Sequence, residues 1–420
     1  MIETSVLPCG IRLVTETMAD VHSVAVAYWV GTGSRDEPGE LAGASHFLEH
    51  LLFKGTERRS AAAIAEALDE VGGDCNAFTT KEYTTFYIRL LAEHLPLGLD
   101  ILSDIMWAPA LREGDIEAER TVILDEILMH ADEPMDLAAE RWQASLFPGH
   151  PLGRDTLGTA ETVRRITRED IATFCAQYYR PDNMVVSVAG DCTHEAVAAD
   201  LEQRFAGVRG GDAPRRVAPG PDAVALDVVR RPTEQAHVVY GARSVSRFDE
   251  GRWALSVLNH VLGGGLSSRL FQKVREQRGL AYSVWSERAA YEDTGSLAVV
   301  VGTAPEHVDE VLRIVEGELD LLASDGVTER ELAVAKGNLR AEMLLSGEDS
   351  GARMSRLGAS LLLHGEVLTV DEVLARIDAV DLDQVRDAAT RLAQAPRTMS
   401  AVGPFDPESF ESHLPAMAAR

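Results

Sequence analysis

Two stretches of this 420-residue chain repeat at one fixed separation, and that repeat restricts the folds open to it. In the first half, YTTFYIRLLAEHLPLGLDILSDI reads as a strand, a turn and a helix. In the second, TGSLAVVVGTAPEHVDEVLRIVEGEL reads the same way. Glu93-His94 aligns with Glu306-His307, 213 positions later. Near the end of each half a helix precedes a strand, in REDIATFCAQYYRPDNMVVSVAG and LDQVRDAATRLAQAPRTMSAVG, and Ser187 and Ser400 are again 213 positions apart. One offset kept at two separate places indicates duplication of one unit. Strands neighbour other strands as well as alternating with helices. The expected fold is therefore α+β: two similar domains, each a mainly antiparallel sheet with helices packed on one face. Between them, GVRGGDAPRRVAPGPDA lacks apolar periodicity and reads as a linker. This places a first domain at 1–207, a linker at 208–222 and a second domain at 223–420.

Charge and composition exclude several classes of partner. A formal net charge of -27 argues against nucleic acid and against anionic membrane. Cys9, Cys75, Cys175 and Cys192 are scattered and form no CxxC pair, so neither a disulfide framework nor a thiolate metal site is expected. The opening MIETSVLPCGIRLVTETM has no basic stretch followed by an apolar one, and no apolar run reaches the length of a membrane span. The expectation is a cytoplasmic protein with reduced thiols.

The chemistry concentrates in HFLEH, His46 to His50. On a helix, His46, Glu49, His50 and Phe53 share one face, while Phe47, Leu48, Leu51 and Leu52 make the remainder apolar. Such a helix is buried, and two imidazoles and a carboxylate on it need partners. The bland account is a set of core histidines with ordinary hydrogen bonds. The sharper one is a zinc site, because histidines at i and i+4 can reach one ion and Glu49 then lies where a general base is wanted. A third protein ligand is required. In REGDIEAERTVILDEILMHADEP, Asp115 can cap a helix running to about His130, with Ile116, Ile123, Leu124, Ile127 and Leu128 as its apolar stripe. Glu119 and Glu126, seven apart, border that stripe. They form either a solvated row or one ligand with one carboxylate that orients a histidine.

HxxEH followed by ERTVILDEI resembles the pitrilysin-type, inverted-motif zinc peptidases. FKGT, GGDCNAFTTKEYTTFY, LFPGHPLGRDTLGT and LSSRLFQKVREQRGLAYSV extend the resemblance over most of the chain, and it is closest to mitochondrial processing peptidase and its bacterial homologues. The resemblance implies that His46, His50 and Glu126 bind one Zn2+ per chain, that Glu49 is the general base, and that Glu119 is an outer carboxylate. It implies that Asn76 and Ala77 begin an edge strand to which a substrate peptide adds. It implies that Arg275 and Tyr282 hold the substrate and the developing oxyanion. By itself Arg275 would be a surface charge and Tyr282 a strand core residue, and Gly263 to Arg269, GGGLSSR, only a turn between helices.

The expected function is thus that of a zinc endopeptidase, a hydrolase of peptides or unfolded segments inside a closed chamber. Relatives use four such domains around the chamber, so two per chain imply a homodimer whose composite sites draw zinc from one chain and Arg275 and Tyr282 from the other. The rival expectation is a non-catalytic scaffold or partner subunit, as in a bc1-type complex. The physiological substrate and cleavage rule are not legible.

Overall fold

The structure, a computed structural model, describes residues 1–205, 208, 210 and 213–414. Residues 209, 211 and 212 of the expected linker, and 206, 207 and 415–420 of the expected domains, lie outside the described residues. The strands are β1 (Ile2–Val6), β2 (Arg12–Thr17), β3 (Ser23–Val30), β4 (Asp74–Thr79), β5 (Thr84–Leu91), β6 (Met184–Gly190), β7 (Ala225–Arg230), β8 (Ala236–Ser244), β9 (Ala281–Ala290), β10 (Gly295–Thr303) and β11 (Thr398–Gly403). The helices of the first half are α1 (Ala44–Leu52), α2 (Ala61–Asp69), α3 (Leu95–Trp107), α4 (Glu113–Asp132), α5 (Pro134–Leu146), α6 (Ala160–Arg165), α7 (Arg168–Tyr178) and α8 (His194–Arg204). Those of the second are α9 (Arg252–Asn259), α10 (Val308–Ser324), α11 (Glu329–Ser346), α12 (Ser350–His364), α13 (Val370–Asp378) and α14 (Leu382–Gln394).

The fold is α+β with two sheets of the same plan. One has the order β1-β2-β6-β3-β5-β4 and the other β7-β11-β8-β10-β9. Every pairing is antiparallel except β2 with β6 and β11 with β7. The duplication extends to register: Val14 lies opposite Ser187, and Asp227 opposite Ser400. Three-residue turns hold Glu93-His94 after β5 and Glu306-His307 after β10, and each leads into a long helix, α3 or α10.

The compact units are not contiguous in sequence. The first is Met1–Leu128, Arg154–Arg216 and Leu344–Leu368; the second is Met129–Gly153, Val217–Met343 and Thr369–Arg420. A cut at 208–222 therefore separates most of the two units but leaves one helix of each on the wrong side. The cause lies in the strands. In β3, SVAVAYWV, Val24, Val26, Tyr28 and Val30 face the main helical layer, while Ala25, Ala27 and Trp29 face the opposite way, and both sets are buried. A strand apolar on both faces needs cover on both. The second face is closed by α12, whose Met354, Leu357 and Leu361 pack on Ala25, Ala27 and Trp29. The small residues let the helix lie close. A Cβ on Gly358 would come within 2.0 Å of Trp29 Nε1, which instead donates to Ser187 Oγ at 2.8 Å. The second unit mirrors this with α5. Ala138, Trp142 and Leu146 pack on Val239, Ala298, Val300 and Val402, and Trp142 Nε1 donates to the Thr398 carbonyl at 3.0 Å. Each sheet thus carries its helical layer on one face and a single exchanged helix on the other.

Helix starts follow local chemistry. Ser60, Thr159, Thr167, Thr193, Asp349, Thr369 and Asp381 each accept a backbone N–H at an N-cap. Helix α4 departs from the sequence reading. It begins at Glu113, so Asp115 sits in the first turn and does not cap, taking an ion pair from Arg112 at 3.3 Å. Its buried stripe also stops short of Leu128, which is 63% exposed. Helix α1 has no side-chain cap, because its N-cap is Gly43 with φ 97°. Its free N–H groups are taken by a carboxylate from upstream: Glu37 accepts from Gly43 N at 2.8 Å and from Ser45 N at 2.7 Å. Burial pushes the Glu37 carboxyl up to about 7, against these two donors and the Arg154 charge.

Two outcomes follow. A folded pKa raised to about 7 from 4.5 means that Glu37 takes up a proton on folding. Its contribution is fully present below pH 4.5 and is lost as pH rises through about 7. Relative to Glu37→Gln, the wild type should gain up to about 3 kcal/mol between pH 7.5 and 5, read by urea denaturation at both pH values. A constant difference between the two proteins would refute this. A fragment of residues 1–207 lacks α12 and exposes Ala25, Ala27 and Trp29. It should be poorly soluble and bind a hydrophobic dye, and a separately expressed 223–420 fragment should restore it. A cooperative unfolding transition of the lone fragment at full stability would contradict the exchange.

Candidate metal centre

The site is assembled in the first unit from α1, α4 and β4. Helix α1 is anchored by Phe47, Leu48, Leu51 and Leu52, all essentially fully buried, so the face with His46, Glu49 and His50 is held in one orientation. His46 is buried; Glu49 and His50 are half-buried. The two imidazole rings lie with centroids 4.6 Å apart at 67°. Helix α4 brings Glu119 and Glu126, two turns apart on one line, against this face. Glu126 Oε2 is 3.6 Å from His46 Nε2 and 3.8 Å from His50 Nε2. One donor atom from each of His46, His50 and Glu126 lies within 4.8 Å of the others, the one such His/Cys/carboxylate group among the described residues. Two imidazole nitrogens and a carboxylate oxygen converging in this way are a zinc-type donor set.

Glu119 does something different. It is only 5% exposed, and its Oε2 accepts a hydrogen bond from His50 Nδ1 at 3.0 Å, while Lys54 Nζ lies 2.5 Å from its Oε1. A proton held on Nδ1 leaves the Nε2 lone pair free on the side where Glu126 lies. The spacing of Glu119 and Glu126 left their roles interchangeable, and the fold separates them: Glu126 faces both Nε2 atoms, and Glu119 backs one ring.

Glu49 lies outside the donor set. Its Oε2 accepts from Thr79 Oγ at 2.6 Å. Burial raises its pKa, opposed chiefly by that hydrogen bond. Thr79 closes β4, the edge strand, in which Cys75, Ala77 and Thr79 turn inward and Asp74, Asn76 and Phe78 are exposed. Asn76 and Ala77 therefore sit mid-strand on the sheet edge, and Asn76 Oδ1 accepts from the Ala77 backbone N–H at 2.8 Å.

Arg275 and Tyr282 are in the second unit. Arg275 lies in a π-helical stretch, Phe271–Glu276, and its guanidinium carbon is 4.9 Å from the Phe271 ring centre and 4.8 Å from that of Tyr282. Tyr282 is 78% exposed at the start of the edge strand β9, so it is not the core residue that strand periodicity alone would make it. Of the segment GGGLSSR, expected as a turn between helices, Gly265 to Ser268 form the turn, while Gly263 and Gly264 end the preceding helix and Arg269 begins the next. Sequence reasoning passed over Thr79, Lys54 and Glu37. Two of them had a signal: Lys54 follows His50 by four residues, one helical turn, just past the end of α1, and Thr79 shares the inward alternation of Cys75 and Ala77.

The matching helix of the second unit carries no such set. It presents His260, buried, with Glu342 as the facing charge, but Gly263 and Gly264 stand where α1 has Glu49 and His50. A Cβ at Gly263 would fall 2.5 Å from Ser286 N, so that position has no room for a carboxylate.

Comparison with known proteins agrees with this division. Residues 12–160 match the family model described as Insulinase (Peptidase family M16), and residues 165–339 match the Peptidase M16 inactive domain. An uncharacterized zinc protease of Mycobacterium bovis is 45% identical over 420 residues, covering 98% of this chain and 95% of that protein. The uncharacterized zinc protease YmxG of Bacillus subtilis is 38% identical over 396 residues, covering 94% and 96%. A crystal structure of a Peptidase M16 inactive domain from Pseudomonas fluorescens superposes with a TM-score of 0.90 at 21% identity, covering 97% of this chain and 98% of that one. A protease from Helicobacter pylori gives 0.91 at 22%, covering 96% and 99%. With its donor set confined to the first unit and relatives at this identity over nearly its whole length, this chain belongs to peptidase family M16.

Proposed function

We propose that this chain is a zinc-dependent endopeptidase that cleaves peptides or unfolded segments inside a closed chamber, with one zinc ion per chain. The observation that carries the reading is the convergence of His46, His50 and Glu126 within 4.8 Å, with Glu49 beside them and outside the donor set. In this reading His46, His50 and Glu126 hold the ion, and Glu119 keeps the His50 ring in its tautomer. When bound, zinc supplies Lewis acidity and lowers the pKa of a water ligand. Glu49 takes the proton of the attacking water and passes it to the leaving amine. Burial, which raises its pKa from 4.5, moves it towards the range where a carboxylate exchanges protons readily near neutrality. The Thr79 hydroxyl holds its carboxylate in place. The substrate adds as a strand beside Asn76 and Ala77 on the free edge of β4, which gives main-chain affinity with little demand on sequence.

The pair of half-buried Arg275 and exposed Tyr282 suits contact with substrate and with developing oxyanion charge, since a guanidinium and a phenol are both donors. We assign the pair to the site of a partner copy, in a homodimer with two composite sites, and the protein to the cytoplasm. Among the described residues no helix is long and apolar enough to cross a membrane.

Glu49→Gln should retain zinc, measured by atomic absorption, and lose at least about 10²-fold in hydrolysis of a quenched peptide. Glu126→Ala should lose zinc, whereas Glu119→Ala should weaken it by about 10–100-fold. Near wild-type turnover in Glu49→Gln, or zinc kept by Glu126→Ala and lost by Glu119→Ala, would overturn these roles. The dimer is tested by mixing Glu49→Gln with Tyr282→Phe under subunit exchange. One composite site of each mixed dimer then carries both defects and the other neither, so activity should return. No recovery, with exchange verified by native mass spectrometry, would show that each chain completes its own site.

A further inference from the structure

Arg216 plugs a slot in the first unit. Its guanidinium meets both carboxylate oxygens of Asp36 at 2.9 Å and donates to the carbonyls of Gly31 at 3.1 Å and Glu82 at 2.7 Å. The slot has three walls: the end of β3, the stretch Ser34-Arg35-Asp36-Glu37, and the hairpin joining β4 to β5. The second unit repeats all three. Ser-Arg-Asp-Glu returns as Ser246-Arg247-Phe248-Asp249-Glu250 with one residue inserted, β3 corresponds to β8, and the β4–β5 hairpin to that joining β9 and β10. There the same walls, as Ser244 at the end of β8, Asp249, and Thr294 of the hairpin, line a cavity of about 700 Å³.

The chemistry of this cavity suits one cationic group. Of its charged residues, Asp222 pairs with Arg243 at 2.9 Å and Glu250 with Arg376 at 3.5 Å. Among the lining residues this leaves Asp249 and Asp387 with Arg391, one negative charge in excess over the lining itself. Asp249 uses Oδ1 to accept from Gly251 N at 2.7 Å, and among the described residues it forms no ion pair with Arg391. Two buried polar atoms of the lining have no hydrogen-bond partner, the Ser244 hydroxyl oxygen and the Trp253 indole nitrogen. The Trp253 ring already accepts guanidinium groups, Arg252 at 4.7 Å and Arg376 at 5.9 Å.

We propose that this cavity is a guanidinium site that takes the arginine side chain of an extended polypeptide segment from outside the chain. The Asp249 carboxylate receives the guanidinium as Asp36 does, and the Ser244 hydroxyl accepts a further N–H. The Trp253 N–H donates to a backbone carbonyl of the incoming segment. The occupant is a peptide and not a free guanidinium compound, because the duplicate slot is filled by an arginine of a polypeptide stretch outside any helix or strand.

The test is isothermal titration of the full-length protein with the capped peptide Ala-Pro-Arg-Arg-Val-Ala-Pro, a copy of residues 213–219, its integrity checked by mass spectrometry. Saturable binding is expected. It should weaken at least about tenfold when the peptide arginines are replaced by citrulline, and equally in Asp249→Asn, which keeps the Oδ1 acceptor. Trp253→Phe, which removes the N–H and keeps an aromatic wall, provides a second variant and should also weaken it. No saturable binding, binding unchanged in both variants, or agmatine binding as tightly as the peptide would overturn the proposal.

Discussion

The structure depends on a burial requirement that neither half of the sequence meets by itself. Strands such as β3 are apolar on both faces, and the main helical layer covers only one. Leaving Trp29 and its neighbours in water would forfeit roughly 25 cal/mol for each Å² of apolar surface exposed. The chain meets the requirement by exchange: α12 of the second half closes the first sheet, and α5 of the first half closes the second. The small residues Ala25, Ala27 and Gly358 permit the close approach, and Trp29 then needs the Ser187 hydroxyl for its buried N–H. The chain thereby passes between the two units five times instead of once.

The geometry of the candidate metal centre depends on α1. The helix has a glycine N-cap, so its orphan N–H groups fall to Glu37, and the Arg154 guanidinium donates to the carbonyl of the same residue. With the apolar side of α1 sunk in the core, His46, Glu49 and His50 have little freedom. The electrostatics are divided among the carboxylates. Glu119 is buried and offset by Lys54 and the His50 N–H, Glu126 is more open and faces both Nε2 atoms, and Glu49 is raised by burial and held by Thr79. Three glutamates within one site thus have three environments, which is how one residue type comes to serve different tasks.

Duplication shows the same frame put to different use. Where α1 carries Glu49 and His50 the second unit has Gly263 and Gly264, and Ser286 occupies the space a side chain at Gly263 would need. In exchange the second unit presents an exposed Tyr282 with Arg275 stacked on its ring, and a cavity where the first unit holds Arg216.

Much of this was legible in the residues. The 213-residue offset foretold two similar α+β units, and it recurs in sheet register at Ser187 and Ser400. Helical periodicity placed His46, Glu49 and His50 on one face and Glu119 with Glu126 on another, because those relations are local and set by 3.6 residues per turn. What periodicity cannot carry is contact between distant segments. Which glutamate faces the imidazole Nε2 atoms, that Thr79 reaches Glu49, that Glu37 caps α1, and that α12 and α5 change places are all long-range packing outcomes. A linker rich in glycine and proline marks where the chain turns from one unit to the next, but it cannot say which helix each sheet will need. That was decided only when two apolar faces, each coded in one half, had to be buried by helices coded in the other.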